Sequence, residues 1–293
     1  MESAHRPVLL QETLALLSPH KGDFAVDCTV NGGGHATALL AELGTSGHLL
    51  AFDWDSTLAA HAVELFKGDK RVIVVNENYA HLPNILGEQK FNSVDVLLAD
   101  LGFSSAHLES GRGFTFQEDE PLHMTYSEKE ASVAELVNSL PEKELADVLY
   151  NYGGERRSRR IAKVIVEERR RNRILTTGQL ASLVSRALGS GHGGGRIHPA
   201  TRTFQALRIL ANRELENVEL LLASLPKVMR KGGRVAIITF HSLEDALVKN
   251  AFRTLAKEGK VELLTKKPIG PMRAEVIDNP RSRSAKVRAV RFI

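Results

Sequence analysis

The chain of 293 residues contains a single cysteine, Cys28, so no intrachain disulfide can form and a fold stapled by bridges is excluded. Cys28 sits inside a short apolar run, where core packing is the expected role. No stretch approaches the roughly 18 consecutive apolar residues of a transmembrane helix. The start shows no basic-then-apolar signal pattern, so a cytoplasmic location is expected. Cysteine and histidine never fall at zinc-ligand spacing, and no metal is expected. Internal repeats are absent too. Aromatics make up only 5% of the residues, against 43% apolar and 25% charged. That balance is ordinary for a soluble globular protein. The net charge of +4 is a mild bias towards a polyanionic partner.

What is present is organised around residues 24–35. Phe24 to Val30 reads as a buried strand, Gly32-Gly33-Gly34 as a turn, and the stretch from Ala36 to Leu43 as a helix. Strand, glycine turn and helix open a doubly wound α/β sheet, in which ligands sit at the carboxyl ends of strands. A second strand, Gly47 to Phe52, leads to Asp53, twenty positions after Gly33. At that spacing an acid meets a ribose diol in nucleoside-binding folds. A dinucleotide fingerprint would need glycine at Thr37, which disfavours NAD. S-adenosylmethionine, which has no pyrophosphate, suits the turn better, although the same glycines can serve as a plain structural turn.

Further strands are expected at Arg71–Val75 and Val94–Ala99, followed by Tyr79 and by Asp100-Leu101-Gly102-Phe103. Asp27, Asp53, Tyr79 and Asp100 should therefore share one rim. Tyr79 could lie against an adenine ring or simply edge that rim. Between Ala106 and Pro199 the pattern is helical, with helices expected at 133–140, 142–150, 157–170 and 178–188. The segment Glu155–Arg173 carries nine Lys/Arg against three Glu, a density that favours phosphate binding over a merely solvated face. A glycine-rich loop at 189–195 follows, then one long helix from Phe204 to Leu225. A turn at Lys231-Gly232-Gly233 leads to a strand at 234–240, and Ser242 is the expected N-cap of the next helix. Two closing strands, Val261–Leu264 and Val287–Phe292, bracket the basic pairs Lys266-Lys267 and Arg281/Arg283. The expected division is 1–105 with 206–293 as a Rossmann-like domain, and 106–205 as an inserted helical substrate-recognition domain with a phosphate-binding face.

Several long strings carry a resemblance over nearly the whole chain: His5-x-Pro7-Val8-Leu9-Leu10, Gly32-Gly33-Gly34-His35, Asp100-Leu101-Gly102-Phe103-Ser104-Ser105, Arg112-Gly113-Phe114-Thr115-Phe116 and Tyr152-Gly153-Gly154-Glu155-Arg156. His198-Pro199-Ala200-Thr201-Arg202-Thr203-Phe204, Phe240-His241-Ser242-Leu243-Glu244-Asp245 and Asn279-Pro280-Arg281-Ser282-Arg283-Ser284 continue the series. The chain resembles the bacterial ribosomal RNA small-subunit methyltransferase H family, also called MraW. That resemblance implies a class I methyltransferase sheet and methyl transfer from S-adenosylmethionine to the exocyclic N4 of a cytosine in the decoding region of 16S ribosomal RNA. Carried over by position, the cofactor contacts fall on Gly33, Gly34, His35, Asp53, Tyr79, Asp100 and His107. RNA contacts are expected at Arg156, Arg157, Arg159, Arg160 and Arg202, and a monomer or homodimer is compatible with the sequence. Asn31, Trp54 and Ala106-His107 depart from the family pattern. So does Pro121-Leu122-His123-Met124-Thr125, where Asp and Arg are usual at the third and fifth positions. Two competing readings are a methyltransferase with another RNA or protein acceptor, and a catalytically weakened RNA-binding assembly factor. For the reaction itself, Asp100 is the candidate acceptor of an N4 hydrogen or cofactor holder, and Phe103 the candidate base-stacking aromatic, with core packing the alternative.

Overall fold

In the computed structural model the described residues are 7–91, 93–189 and 198–293. His5 and most of the glycine-rich loop at 189–195 lie outside them. Two compact units emerge, one formed by Met1–Gly102 with Leu215–Ile293 and the other by Phe103–Glu214. The divisions thus fall at 102/103 and 214/215, displaced from the 105/106 and 205/206 read from the sequence.

The first unit is built on a seven-stranded sheet: β1 (Phe24–Asp27), β2 (His48–Asp53), β3 (Val72–Asn76), β4 (Val94–Asp100), β5 (Met229–Thr239), β6 (Val261–Leu263) and β7 (Lys286–Phe292). Their order is β3-β2-β1-β4-β5-β7-β6. The first five are parallel to one another, and β7 runs antiparallel to β5 and to β6. This is the Rossmann-like α/β sheet that the sequence predicts. Alternation along each strand divides the side chains between two apolar layers. Val26, Cys28, Leu50, Phe52, Leu97, Ala99, Val235 and Ile237 pack on one face. Ala25, Leu49, Ala51, Val96, Leu98, Ala236 and Ile238 pack on the other. Both faces are covered by helices, which is why these strands read as continuous apolar runs. Acids and hydroxyls are then confined to the strand ends.

The second unit is helical. Helices Val133–Ser139, Glu142–Gly153, Ser158–Arg169, Thr177–Leu188 and Thr201–Ala211 surround one core that includes Val137, Leu145, Leu149, Ile161, Ile165, Leu180, Val184 and Leu207. Two of them begin with capping boxes, Ser132/Glu135 and Thr176/Gln179, in which each end satisfies the other's free N–H. Among the described residues no helix is long and apolar enough to cross a membrane.

Three local expectations are corrected. The single helix from Phe204 to Leu225 is two, Thr201–Ala211 and Glu214–Val228. Asn212 turns its side chain onto Tyr126 N and Met124 O (both 2.7 Å), and Arg213 takes φ 48°. Lys231-Gly232-Gly233 is not a turn ahead of the strand. It lies within β5, where a register shift opposite Val94/Val96 absorbs the extra residues. The helix Ser242–Lys257 is capped by His241 rather than Ser242, its imidazole accepting from Glu244 N.

Candidate active site

The carboxyl ends of β1, β2 and β4 place Asp27, Asp53 and Asp100 on one edge of the first unit. All three are buried. No Lys or Arg among the described residues forms an ion pair with any of them. Burial pushes the Asp27 carboxyl up to about 7, against lowering hydrogen bonds from the backbone N–H and the hydroxyl of Thr29. Its other oxygen, Oδ2, has no hydrogen-bond partner. Burial likewise raises Asp53 to about 7, opposed by Asp55 N on Oδ1 (2.9 Å) and Asn31 N on Oδ2 (2.8 Å). Asp100 stands well above the ordinary carboxylate range. Burial is the main cause, and the charges of Asp27 and Glu244 add to it. Its Oδ1 is without a hydrogen bond. Three buried acids, of which Asp27 raises the proton affinity of the other two, form an edge suited to a cationic, hydroxyl-bearing ligand.

The glycine turn is packed closely by its own chain. Gly33 takes φ +79°, and a Cβ there would lie 2.2 Å from Leu65 Cδ2. At Gly34 a Cβ would lie 3.0 Å from the ring of Pro7. Asn31 also adopts positive φ, 46°, a conformation asparagine tolerates better than other side chains. His35 Nε2 donates to Val8 O (3.1 Å), and Nδ1 lies 3.6 Å from Asp100 Oδ2. The His35 ring thus joins the N-terminal segment to the β4 carboxyl. Tyr79 opens a short 3-10 turn after β3, capped by the side chain of Asn78, and packs against one sheet face.

Sequence reasoning placed Gly33, Gly34, His35, Asp53 and Asp100 on this unit, and the structure gathers them at one edge. Asp27, which the sequence set on the same rim because it ends an apolar strand, is fully buried there. Sequence reasoning missed Thr29, whose hydroxyl accepts from Asp100 N at 2.7 Å, and the Pro7–Leu9 segment over the turn.

Phe103 and His107 belong to the second unit. His107 is buried, its Nδ1 accepting from Ser104 N at 3.0 Å. Its ring lies 5.0 Å from those of both Phe114 and Tyr126. Phe103 is the exposed member of this cluster, with its ring centroid 6.0 Å from Phe114 and the guanidinium of Arg208 over it at 4.6 Å. Arg208 in turn forms a bidentate pair with Glu214 (2.8 and 3.0 Å), which also accepts from Tyr126 OH at 3.1 Å. His123 is exposed and Thr125 buried. In the basic segment Arg156, Arg157, Arg159 and Arg160 are exposed, while Ile161, Ala162, Ile165 and Val166 face the core. Glu155, Arg156, Arg157, Leu188, His198, Pro199 and Arg202 line a cavity of about 410 Å³. Arg202 reaches it because Gly153 lets the two helices approach: a Cβ there would lie 2.5 Å from Arg202 O.

Residues 2–293 match the MraW methylase family. Ribosomal RNA small subunit methyltransferase H of Coprothermobacter proteolyticus is 44% identical over 286 residues, covering 97% of this chain and 94% of that protein. The protein of the same name from Clostridium botulinum is 40% identical over 310 residues, covering both chains completely. Among solved structures, an rRNA methylase from Streptococcus thermophilus aligns with 97% of this chain and 93% of its own, at 10% identity and a TM-score of 0.42.

Proposed function

The chain belongs to the MraW methylase family, and from that membership we propose that it methylates the exocyclic N4 of a cytosine in the decoding region of 16S ribosomal RNA. S-adenosylmethionine is the methyl donor and the small ribosomal subunit the cytoplasmic partner. The observation that carries the reading is the trio Asp27, Asp53 and Asp100, buried at one edge without a Lys or Arg partner. These residues fit the donor. The orphaned Asp27 Oδ2 and Asp100 Oδ1 call for hydrogen-bond donors or positive charge.

When bound, S-adenosylmethionine supplies an electrophilic methyl group on a sulfonium. Asp53 would accept from its ribose hydroxyls, the Gly33-Gly34 backbone and Tyr79 would hold its amino-acid and adenine ends, and Asp27 would balance its positive charge. The cytosine amine is a poor nucleophile because its lone pair is delocalised into the ring. Asp100 accepts an N4 hydrogen and localises that pair, and Phe103 stacks on the extruded base. At saturating cofactor, Asp100→Asn should lower turnover by about 10²-fold or more, the range of a lost general base. Turnover at the parental rate would remove Asp100 from the chemistry.

RNA backbone is held by Arg156, Arg157, Arg159, Arg160 and Arg202. Replacing the first four with Gln should reduce the slope of log affinity against log salt by roughly 2–3. An unchanged slope in a filter-binding titration would acquit that helix. The decisive test of the function is methyl transfer to small-subunit particles from cells lacking this modification, followed by nucleoside mass spectrometry. N4-methylcytidine is expected. A product on another position or on protein would establish a different acceptor. Cofactor binding without any transfer would favour an assembly factor, the reading that the exposed His123 and buried Thr125 keep open.

A further inference from the structure

The β6–β7 connection, residues 264–285, is the strongly charged segment that the reaction leaves unused. Residues 264–286 carry six Lys/Arg and two carboxylates. Two of these charges are turned inward: Glu275 Oε1 accepts from Leu9 N at 2.8 Å, and Lys286 Nζ lies 3.5 Å from Asp245. Lys266, Lys267, Arg273, Arg281 and Arg283 are exposed. Among the described residues Lys266, Lys267, Arg273 and Arg283 have no ion-pair partner.

The local sequence explains the display. Thr265 is buried and its hydroxyl accepts from Ala289 N at 2.9 Å, while Ile269 exchanges two hydrogen bonds with Val287. Lys266 and Lys267 are therefore lifted outward between two anchors on β7. Across from them, Ser282 and Ala285 are buried, and Ser282 Oγ donates to Asn279 O at 2.8 Å. These small anchors hold the 3-10 turn Pro280–Ser284 down and leave Arg281 and Arg283 outside.

Register places this surface. β7 begins at Lys286 opposite Thr239, the last residue of β5, and β5 is parallel to β4 with Ile238 opposite Asp100. The connection therefore rises from the same sheet edge as the three buried acids. It is also tied to the turn they flank: Glu275 holds Leu9, Val8 O accepts from His35, and Pro7 lies against Gly34.

From this placement we infer that Lys266, Lys267, Arg273 and Arg283 form an RNA-backbone dock on the methyltransferase unit itself, additional to the basic helix Ser158–Arg169. The inference rests on the acceptor being RNA and says which further surface holds it. Phosphates bound here would fix the strand relative to the cofactor edge independently of the helical unit. A lipid surface is the rival, since Met272 and Ile277 are exposed in the same segment. The helix Arg273–Asp278 has only six residues and includes Glu275 and Asp278, which disfavours insertion among anionic headgroups.

The test is a K266Q/K267Q/R273Q/R283Q variant titrated with a labelled 16S decoding-region fragment at several salt concentrations. Its salt slope should fall by about 2–3 and its affinity near 0.1 M salt by roughly tenfold or more. Cofactor affinity and melting temperature should stay at parental values. Parental slope and affinity would overturn the dock. Lost binding to phosphatidylserine vesicles with an unchanged RNA slope would overturn it in favour of lipid. If the parent protein itself neither binds the fragment nor methylates small subunits, the proposed function fails first and this surface with it.

Discussion

Asp27→Asn is expected to make the cofactor-free protein more stable at pH 8, by up to about 4 kcal/mol, while weakening its hold on S-adenosylmethionine. The sign follows from the buried carboxyl, raised from 3.8 to about 7. Between those values the folded chain keeps a proton that the unfolded chain has released. Stability from this group is therefore complete below about pH 4, is lost as pH rises, and is gone above about 7. Asparagine keeps the acceptor for Thr29 N (3.0 Å in the parent) and carries no charge, so it removes that decline. Chemical denaturation at pH 5 and pH 8 reads the difference: the variant's advantage should be about 1.5 kcal/mol at pH 5 and grow to its full size at pH 8. A variant less stable than its parent at pH 8 would show that ionised Asp27 is not a burden on the fold.

The same residue should change sign when ligand is added. A sulfonium or ammonium beside Asp27 stabilises the ionised form, so binding requires proton loss from a group near 7. Affinity of the parent should fall by up to tenfold per pH unit as pH drops below about 7, more steeply if Asp53, also raised to about 7, releases its proton too. Asp27→Asn should flatten that dependence and show a smaller rise in melting temperature with cofactor at pH 8. Isothermal titration at pH 6 and pH 8 decides it. Equal pH dependence in variant and parent would separate Asp27 from the ligand.

The acids at the strand ends were visible in the sequence because parallel strands covered on both faces leave few places for charge. Asp27, Asp53 and Asp100 each end an apolar run, and the run length fixes where the edge lies. What could not be read was set by partners far along the chain. Asn212 breaks the helix after Ala211 because its amide bonds the backbone of Met124 and Tyr126, and no local pattern announces that contact. Capping by His241 rather than Ser242 depends on Glu244 reaching back to Phe240 N at 2.9 Å. Gly232-Gly233 resembled a turn because glycines end strands more often than they sit inside them. Pairing of the flanking residues with Val94 and Val96 made it part of β5. Likewise, an arginine pattern marked the helix Ser158–Arg169 as basic, but the cavity with His198 and Arg202 exists only through the fold of the second unit.

The buried pair behind Phe103 gives the other large effect. Arg208→Ala is expected to cost about 3–5 kcal/mol, the range for removing one partner of a buried ion pair. Arg208 and Glu214 are both nearly inaccessible, so the Glu214 carboxylate would be left with only Tyr126 OH as a charge-stabilising donor within this cluster. Arg208→Met combined with Glu214→Leu removes both charges and should recover more than half of that loss, because two apolar chains of similar volume can replace a desolvated pair. The double variant still lacks the guanidinium held 4.6 Å over the Phe103 ring. If that contact fixes the ring for stacking on the base, the recovered protein should fold and bind cofactor yet show a raised KM for subunit substrate, and Phe103→Ala should share the defect. Parental kinetics in a stably folded double variant would reduce Arg208 to a structural role. A single Arg208→Ala variant as stable as the parent would show that the pair contributes no net stability to the helical unit.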